Sequence, residues 1–314
     1  MINRVEKVCL GGVDQWYVAR GSNEQLPLLL FLHGGPGSPQ TGAQHKFNRE
    51  LEDHFLVINW DQRGAGKSYY PSILAETMSV GQLLLDAIEL IQHLCDRFNQ
   101  KKLFIMGHSM GAVLGVLLIK QIPSLVHAYV GINQPINRIE EEERSFAFTL
   151  DEAYRRNNRK AIKDLSAVGK PERGMYPRVQ DLVTQRKWLT TFQGVTYKKN
   201  AMWINLHYIL SSHLSWKERF QFMKGFSFST ETLWGELNSI NLSETALKLE
   251  VDCPIYFIMG RYDRISHDTV EEYFKHMDIP KKELIIFENS GHYACFEEPE
   301  KFNKLMIQTV RSAI

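Results

Sequence analysis

Short apolar runs alternate along this chain with longer segments in which apolar residues recur every three or four positions. The short runs predict strands over residues 16–19, 26–32, 55–60, 102–107, 127–133, 255–260 and 283–288. The helical period is clearest over residues 80–98, and further helices are predicted over 110–122, 271–277 and 300–314. Strands that alternate with helices predict an α/β fold with a mostly parallel sheet and helices on both faces.

Residues 134–249 break this alternation, because they contain no buried-strand pattern. Charged runs such as IEEEERSF (139–146) predict solvated helix faces. Scattered aromatic residues predict a small core, with some of them lining a pocket beneath it: Trp188, Trp203, Tyr208, Trp216, Phe220, Phe222 and Trp234. We interpret this segment as an inserted helical cap domain, which leaves residues 1–133 and 250–314 to form the core domain.

Composition excludes several classes of protein. The formal net charge of +1 over 314 residues argues against a nucleic-acid or membrane-binding face. The four cysteines are far apart and predict reduced thiols rather than a disulfide framework or a metal site. The chain shows no signal-peptide core and no apolar run of membrane-spanning length, so we expect a cytoplasmic protein.

Two glycine-rich loops raise the question of phosphate binding. FLHGGPGSP (31–39) lacks the third glycine of a dinucleotide fingerprint. WDQRGAGKSYY (60–70) contains GKS, but Asp61 stands where a P-loop needs its first glycine. Neither loop therefore predicts a nucleotide cofactor, and we interpret the second as a tight turn braced by Asp61 and Arg63.

A third glycine-rich element, IMGHSMGAVLG (105–115), contains the pattern G-x-S-x-G where a predicted strand meets a predicted helix. This context is typical of a nucleophile elbow, in which a strained turn presents the serine hydroxyl above the sheet edge. Glycine is needed at 107 and 111 because side chains there would clash across the turn. The pattern makes Ser109 the candidate nucleophile.

A serine needs a base and an acid, which in this architecture follow it in the order Ser, acid, His near the ends of strands. Asp263 follows the strand at 255–260, and His292 follows the strand at 283–288. Among eleven histidines, only His292 combines a late position with a strand end. His207 and His213 are six residues apart, which does not predict a metal site.

The glycine-rich loop at 33–37 then has a role as an oxyanion hole. The backbone N–H of Met110 supplies one predicted donor, and that of Gly35 the other. His33 is expected to hold this loop in shape. His108 is expected to be a packing or pocket residue.

These motifs resemble the proline iminopeptidase family of α/β-hydrolases. HGGPG (33–37), DQRGAGKS (61–68), the serine elbow and the GRYD…GH pair match that family in order and spacing. The resemblance implies an eight-stranded sheet, a helical cap, and removal of an N-terminal residue from short peptides. The GHSMG elbow departs from the family, whose members often carry tryptophan after the nucleophile.

The resemblance also implies that acidic cap residues bind the substrate's ammonium group. Glu236 in LWGELN (233–238) stands at a similar place, with a surface or capping role as the open alternative, and Trp234 and His108 complete the expected substrate-binding set. The second acidic residue is not assigned, and the glutamates at 140–143 are candidates.

The sequence as a whole predicts a serine hydrolase that acts through an acyl-enzyme on a small-molecule or short-peptide substrate, without a metal or cofactor. An aminopeptidase is the first candidate, and a carboxylesterase or lactonase with the same residues is the second. A non-catalytic small-molecule receptor is an alternative of a different class. Haloalkane dehalogenases and epoxide hydrolases are disfavoured, because they need a carboxylate where Ser109 stands.

Overall fold

The structure, a computed structural model, describes residues 1–199, 201–243 and 251–313. The boundary expected between residues 249 and 250 lies outside this description. The strands are β1 (Ile2–Leu10), β2 (Val13–Gly21), β3 (Leu28–Leu32), β4 (Leu56–Asp61), β5 (Leu103–His108), β6 (Val126–Ile132), β7 (Ile255–Gly260) and β8 (Lys282–Phe287). The α-helices are α1 (Thr41–Phe47), α2 (Val80–Arg97), α3 (Met110–Gln121), α4 (Arg138–Arg155), α5 (Arg159–Val168), α6 (Val179–Thr191), α7 (Met202–Ile209), α8 (Trp216–Ser239), α9 (His267–His276), α10 (Ala294–Glu297) and α11 (Pro299–Leu305).

All eight strands form one sheet in the order β1-β2-β4-β3-β5-β6-β7-β8. The strands from β3 to β8 pair in parallel, whereas β2 is antiparallel to both of its neighbours. This topology confirms the predicted mostly parallel α/β sheet. Because the parallel strands run in one direction, their carboxyl ends meet at one edge of the sheet, where ligands bind in open α/β folds.

Helices cover both faces of the sheet, as alternate residues of β3 demonstrate. Leu28, Leu30 and Leu32 belong to one hydrophobic cluster, and Leu29 and Phe31 belong to another. Helices α2, α3 and α9 contribute to the first cluster, and α1, α10 and α11 contribute to the second. A strand buried on both faces is apolar throughout, which is why the sequence pattern predicts β3.

The edge strand β1 was not predicted. Its exposed and partly buried positions alternate, and charged residues such as Arg4 and Lys7 interrupt its apolar residues. It pairs with β2 through a tight hairpin whose turn residues, Gly11 and Gly12, both have positive φ angles of 52° and 75°. The hairpin therefore depends on glycine at the turn, not on a continuous apolar run.

Helices α4 to α8 lie between β6 and β7 in the chain, and no strand of the sheet is found among the described residues of this segment. They have their own hydrophobic cluster, formed by Phe146, Ala153, Ala161, Leu165, Tyr176, Leu182, Trp188 and Phe192. We call residues 134–243 the helical segment. The boundaries of a separate cap domain stay a prediction.

Two expectations for the helical segment are wrong in part. Trp203, Trp216 and Phe220 are exposed at 61%, 78% and 80%, so they form no part of a core among the described residues. Conversely, Glu141 and Glu142 in the charged run 139–146 are buried at 3% and 0%. These carboxylates are buried because arginine side chains pair with them.

Candidate active site

The carboxyl ends of three strands bring Ser109, Asp263 and His292 together. Ser109 follows β5 directly and precedes α3, whereas Asp263 and His292 lie in the segments that follow β7 and β8. Ser109 and His292 are 183 positions apart in the chain. Only the parallel arrangement of the strands places them at one edge.

The backbone at Ser109 has φ 54° and ψ −122°, a conformation that costs a non-glycine residue about 1–3 kcal/mol. The turn is tight enough that a Cβ atom at Gly107 would lie 2.5 Å from the Gly111 carbonyl oxygen. A Cβ atom at Gly111 would lie 2.1 Å from the carbonyl oxygen of Leu32. Both glycines are therefore required for the close approach of this turn to its neighbours.

A continuous chain of hydrogen bonds joins the three side chains. The Ser109 hydroxyl lies 2.9 Å from His292 Nε2, and His292 Nδ1 lies 2.9 Å from Asp263 Oδ2. The assignment that fits these partners has Nδ1–H donating to the carboxylate, which leaves Nε2 to accept the serine proton. All three residues are buried, with Ser109 the most exposed at 9%.

Asp263 is held in the ionised form by its surroundings. Burial opposes ionisation, but the attraction of His292 and the hydrogen bonds outweigh it, so the pKa of Asp263 lies well below its ordinary value. Besides His292, its oxygens accept hydrogen bonds from the Ile265 N–H at 2.8 Å, the Ser266 hydroxyl at 2.8 Å and the Asn133 amide at 2.9 Å. A fixed negative charge therefore faces the imidazole.

Asn133 was not singled out from the sequence. Its Nδ2 donates both to Asp263 and to the carbonyl oxygen of Gly291, the latter at 3.1 Å. Its Oδ1 accepts from the Ala294 N–H at 3.3 Å, and its backbone has φ 47°. Its position at the carboxyl end of β6, between strands that carry the other groups, is the signal that could have identified it.

Gly35 and Met110, the predicted oxyanion donors, both line the cavity beside Ser109. Met110 is the first residue of α3, where backbone N–H groups have no partner within the helix. Gly35 has φ 125°, which only glycine adopts readily.

His33 braces the glycine-rich loop. Its Nδ1–H donates to the Gly34 carbonyl oxygen at 2.8 Å, and its Nε2 accepts from the Gln62 N–H at 3.2 Å. Burial lowers the pKa of His33 to about 4, so the ring is neutral at neutral pH. These contacts agree with the shape-holding role expected for His33.

His108 forms a hydrogen bond with the backbone of His292. Its Nε2–H donates to the carbonyl oxygen of His292 at 2.7 Å, while its Nδ1 accepts from Gln40 at 3.1 Å. The ring stacks on Tyr293 with 5.0 Å between centroids. Burial, followed by repulsion from His292, lowers the pKa of His108 to about 3, so this ring is also neutral.

A cavity of about 360 Å³ opens above Ser109. Its lining includes Ser109 and His292 from the strand ends, Gly35 and Gln40 from the loop after β3, and residues of the helical segment, including α6 and α8. Trp234, on α8, and His108 both line this cavity, and their part in substrate binding stays a prediction. The space suits a small ligand enclosed largely by apolar side chains.

Glu236 lies elsewhere, which corrects the expectation that it binds substrate. Its side chain is exposed and accepts a hydrogen bond from the Val80 N–H at 2.8 Å, at the first turn of α2. It is not among the described residues that line the cavity. Trp234 stands two positions earlier, which on a helix is close to the opposite face, so the two side chains have different surroundings.

The glutamates at 140–143 do not reach the cavity wall either. Glu140 pairs with Arg144, and Glu143 pairs with Lys170. Glu141 and Glu142 are buried against Arg138, and Arg186 also pairs with Glu142. Among the described lining residues there is no aspartate or glutamate, whereas both Arg138 and Arg186 line the cavity.

The second glycine loop is a braced turn. Asp61 Oδ2 accepts from the Lys67 N–H at 2.9 Å and from the Tyr208 hydroxyl at 2.7 Å. Arg63 forms a buried two-point ion pair with Asp86, at 2.7 and 2.9 Å. Burial raises the pKa of Asp61 to about 6.

Over the described ranges the chain offers neither a metal cluster nor a membrane-spanning helix. No group of three or more His, Cys, Asp or Glu side chains there is arranged to hold a metal ion. No helix in the same ranges is both long enough and apolar enough to cross a bilayer.

Comparison with known proteins identifies the fold family. A family model of the alpha/beta hydrolase fold matches residues 27–299. A probable aminopeptidase, YbaC of Bacillus subtilis (strain 168), is 29% identical over 98% of this chain and 96% of its own. A proline iminopeptidase of Thermoplasma volcanium is 21% identical over the same shares of the two chains.

Among solved structures, a proline iminopeptidase-related protein from Thermus thermophilus has a TM-score of 0.64 to this chain. The superposition covers 100% of this chain and 98% of the other, at 17% sequence identity. A similarity at this level of identity describes the fold.

Proposed function

Because this chain belongs to the alpha/beta hydrolase fold family, we propose that it is a serine hydrolase that acts through an acyl-enzyme on small substrates. The observation that carries the proposal is the hydrogen-bonded chain from Ser109 through His292 to Asp263. Hydrolase chemistry at a carbonyl carbon needs a nucleophile, a base and a stabilised imidazolium, and these three side chains can supply them in that order.

In the proposed mechanism, Ser109 Oγ attacks the carbonyl carbon while His292 Nε2 takes the hydroxyl proton. The ionised Asp263 stabilises the imidazolium that results. The backbone N–H groups of Met110 and Gly35 are the proposed donors to the oxyanion. His292 then gives its proton to the leaving group, and a water molecule, activated by the same base, releases the acyl group from Ser109.

We propose that the helical segment acts as a cap. Its side chains, including Leu182 and Phe226, supply much of the cavity wall. A cap of this kind limits the size of the substrate and excludes water from the reacting groups.

An aminopeptidase is the first candidate for the activity. The support is the 29% identity, over nearly the whole chain, to a probable aminopeptidase. A carboxylesterase or lactonase is the second candidate, and it has a specific observation in its favour. No described carboxylate lines the cavity to bind the ammonium group of a peptide N-terminus.

The first experiment is labelling of the full chain with a fluorophosphonate probe, which phosphonylates an activated serine. The wild type should be labelled and Ser109→Ala should not, with Ser312→Ala, an exposed change far along the chain, as the control. Absence of labelling in the wild type would favour the non-catalytic receptor. Labelling that persists in Ser109→Ala would remove Ser109 from the mechanism.

Steady-state kinetics then separates the two activities. Proline β-naphthylamide is compared with p-nitrophenyl acetate and butyrate, using the same enzyme preparation. Cleavage of the amide at a rate that rivals the esters supports the aminopeptidase. Turnover of the esters alone supports the esterase or lactonase.

A further inference from the structure

Two arginines from different helices meet at the wall of the cavity. Arg138 is the first residue of α4, and Arg186 lies in α6. Both guanidinium groups donate to the same oxygen of Glu142. Two cations therefore share one oxygen of Glu142, and because Arg138 also pairs with Glu141, the four side chains balance in formal charge.

The positive groups face the cavity and the negative group does not. Arg138 and Arg186 line the cavity, whereas Glu142 is fully buried and is absent from its described lining. Glu141 also contacts Arg138, at 3.2 Å, but it is likewise absent from that lining. The other carboxylate oxygen of Glu141 accepts hydrogen bonds from the Ile136 N–H and the Thr269 hydroxyl, and burial raises the pKa of Glu141.

Arg138 retains hydrogen-bonding capacity. Arg138 is only 3% exposed, and its Nε has no hydrogen-bond partner in the described part of the chain. The guanidinium carbon lies 5.6 Å from the centre of the Trp234 ring, a cation–π contact that helps to hold the group in place. A buried donor without a partner is costly, and a ligand oxygen would relieve that cost.

The other cavity residues are mostly apolar, among them Leu182, Phe226 and Ile265. An apolar cavity with a cationic end fits a ligand with an apolar body and an anionic end. Paired guanidinium groups recognise carboxylates well, because their N–H donors match the two carboxylate oxygens. The same charge would repel a substrate ammonium group.

We propose that the substrate is a small ester or amide that carries a carboxylate, bound by Arg138 and Arg186 within the cavity above Ser109. This inference rests on the proposed function, since it names the substrate class of the same site, and it favours the second candidate, an esterase or lactonase, over an aminopeptidase. It also explains the absence of a carboxylate from the described cavity wall, where ammonium recognition would require one.

The test compares matched probes that differ in one carboxylate. Ethyl hydrogen adipate and ethyl hexanoate place the difference on the acyl side. 3-Acetoxybenzoate and phenyl acetate place it on the leaving-group side. At least one anionic probe should have a kcat/KM about 10- to 100-fold above that of its neutral partner, as expected for hydrogen bonds to a charged group.

Arg186→Met should reduce that preference by about the same factor, because it removes one of the two cations. Removing Arg186 leaves Glu142 with a single partner, so the double variant with Glu142→Gln keeps the local charge balanced if the single variant is unstable. Lys187→Met is the matched control, since this exposed neighbour on α6 loses the same charge without facing the cavity.

A second readout does not depend on turnover. Adipate or 3-hydroxybenzoate should slow fluorophosphonate labelling of the wild type and have a weaker effect on Arg186→Met. Equal kcat/KM values within both probe pairs, or equal protection of both proteins, would overturn the substrate assignment while labelling of Ser109 still upheld the hydrolase. Loss of labelling in the wild type would instead remove the proposed function itself.

Discussion

Asn133 holds two of the groups on which the site depends, the Asp263 carboxylate and the carbonyl oxygen beside His292. Asn133→Gly removes the amide but keeps the left-handed backbone accessible. We expect kcat to fall with little change in KM, because Asp263 loses a donor and His292 loses a brace. The free energy of unfolding should fall by about 1–3 kcal/mol, since buried partners lose their hydrogen bonds.

The matched control is Asn157→Gly, since Asn157 also has a positive φ of 50° but is exposed in the loop after α4. Steady-state kinetics and urea denaturation of the two variants separate side-chain loss from the change to glycine. Equal kinetics in Asn133→Gly and Asn157→Gly would contradict the positioning role.

At this scale the sequence identified the candidate catalytic side chains but not the residues that hydrogen-bond to them. Ser109 has a motif, and Asp263 and His292 follow strand ends in a known order. Asn133 has no motif, because its function comes from contacts with segments more than 100 positions away (133 to 263 and 291). The place of Glu236 could not be predicted for the same reason, since it depends on how α8 lies against α2.

At the scale of elements, Glu236 links α8 to the first turn of α2. Glu236→Ala removes the acceptor of the Val80 N–H, so it should lower the free energy of unfolding by about 0.5–1 kcal/mol. KM for amide and ester probes should not change, because Glu236 is not among the described cavity residues. Thermal denaturation and kinetics measure the two effects, with Glu231→Ala, an exposed change on the same helix, as control. A selective rise in KM for the amide would restore Glu236 as a binding residue.

The turn after β4 predicts a pH dependence of stability. Burial raises the pKa of Asp61 from 3.8 to about 6, so the folded state binds this proton more tightly than the unfolded state. The stabilisation is therefore present at acidic pH and is lost as pH rises from the ordinary pKa through the raised one. Between pH 5 and pH 8 the wild type should lose about 1 kcal/mol relative to Asp61→Asn, which has no proton to lose.

Urea denaturation of the two proteins at several pH values measures that difference. Because other groups titrate equally in both proteins, only the change attributable to Asp61 should remain. A difference that stays constant from pH 5 to pH 8 would show that Asp61 ionises normally in the folded protein.

Central strands were predictable because burial on both faces requires continuous apolar residues, as in β3, β4 and β5. The edge strand β1 was not, because one side of it meets solvent and carries charged residues. The sequence predicted that the helical segment consists of helices, but it did not predict the burial of Glu141 and Glu142. Their burial depends on pairing with Arg138 and Arg186, the latter in a different helix.

At the scale of the whole molecule, the hydrophobic clusters leave the fold independent of disulfides. All four cysteines are free, and Cys9 is the exposed one, whereas Cys95, Cys253 and Cys295 are buried. Burial also raises the pKa of Cys253 to about 11, which suppresses its reactive thiolate. We therefore expect a thiol reagent to modify one residue, Cys9, in the native protein and all four in denaturant.

Cys9→Ser should abolish the native reaction, and a reducing agent should leave the melting temperature unchanged. Rapid modification of Cys95 or Cys295 in the native protein would contradict the packing described for them. The sequence predicted reduced thiols from their spacing alone, but which thiol is exposed depends on the edge position of β1.

The overall sheet followed from the sequence because alternating strands and helices permit few arrangements. The cavity could not be derived in the same way, because its walls combine strand-end loops with several helices of the helical segment. Its cationic end in particular depends on the angle at which α4 and α6 approach each other. The proposed substrate class therefore required the structure, whereas the candidate chemistry did not.

The most direct test of the proposed chemistry is to trap the acyl-enzyme. The full chain is mixed with p-nitrophenyl acetate, quenched in acid within one turnover and digested for peptide mass spectrometry. We expect one added acetyl group on the peptide that contains Ser109, and none in Ser109→Ala. An acetyl group on a different residue, or ester turnover that continues in Ser109→Ala, would contradict the role of Ser109 as the nucleophile.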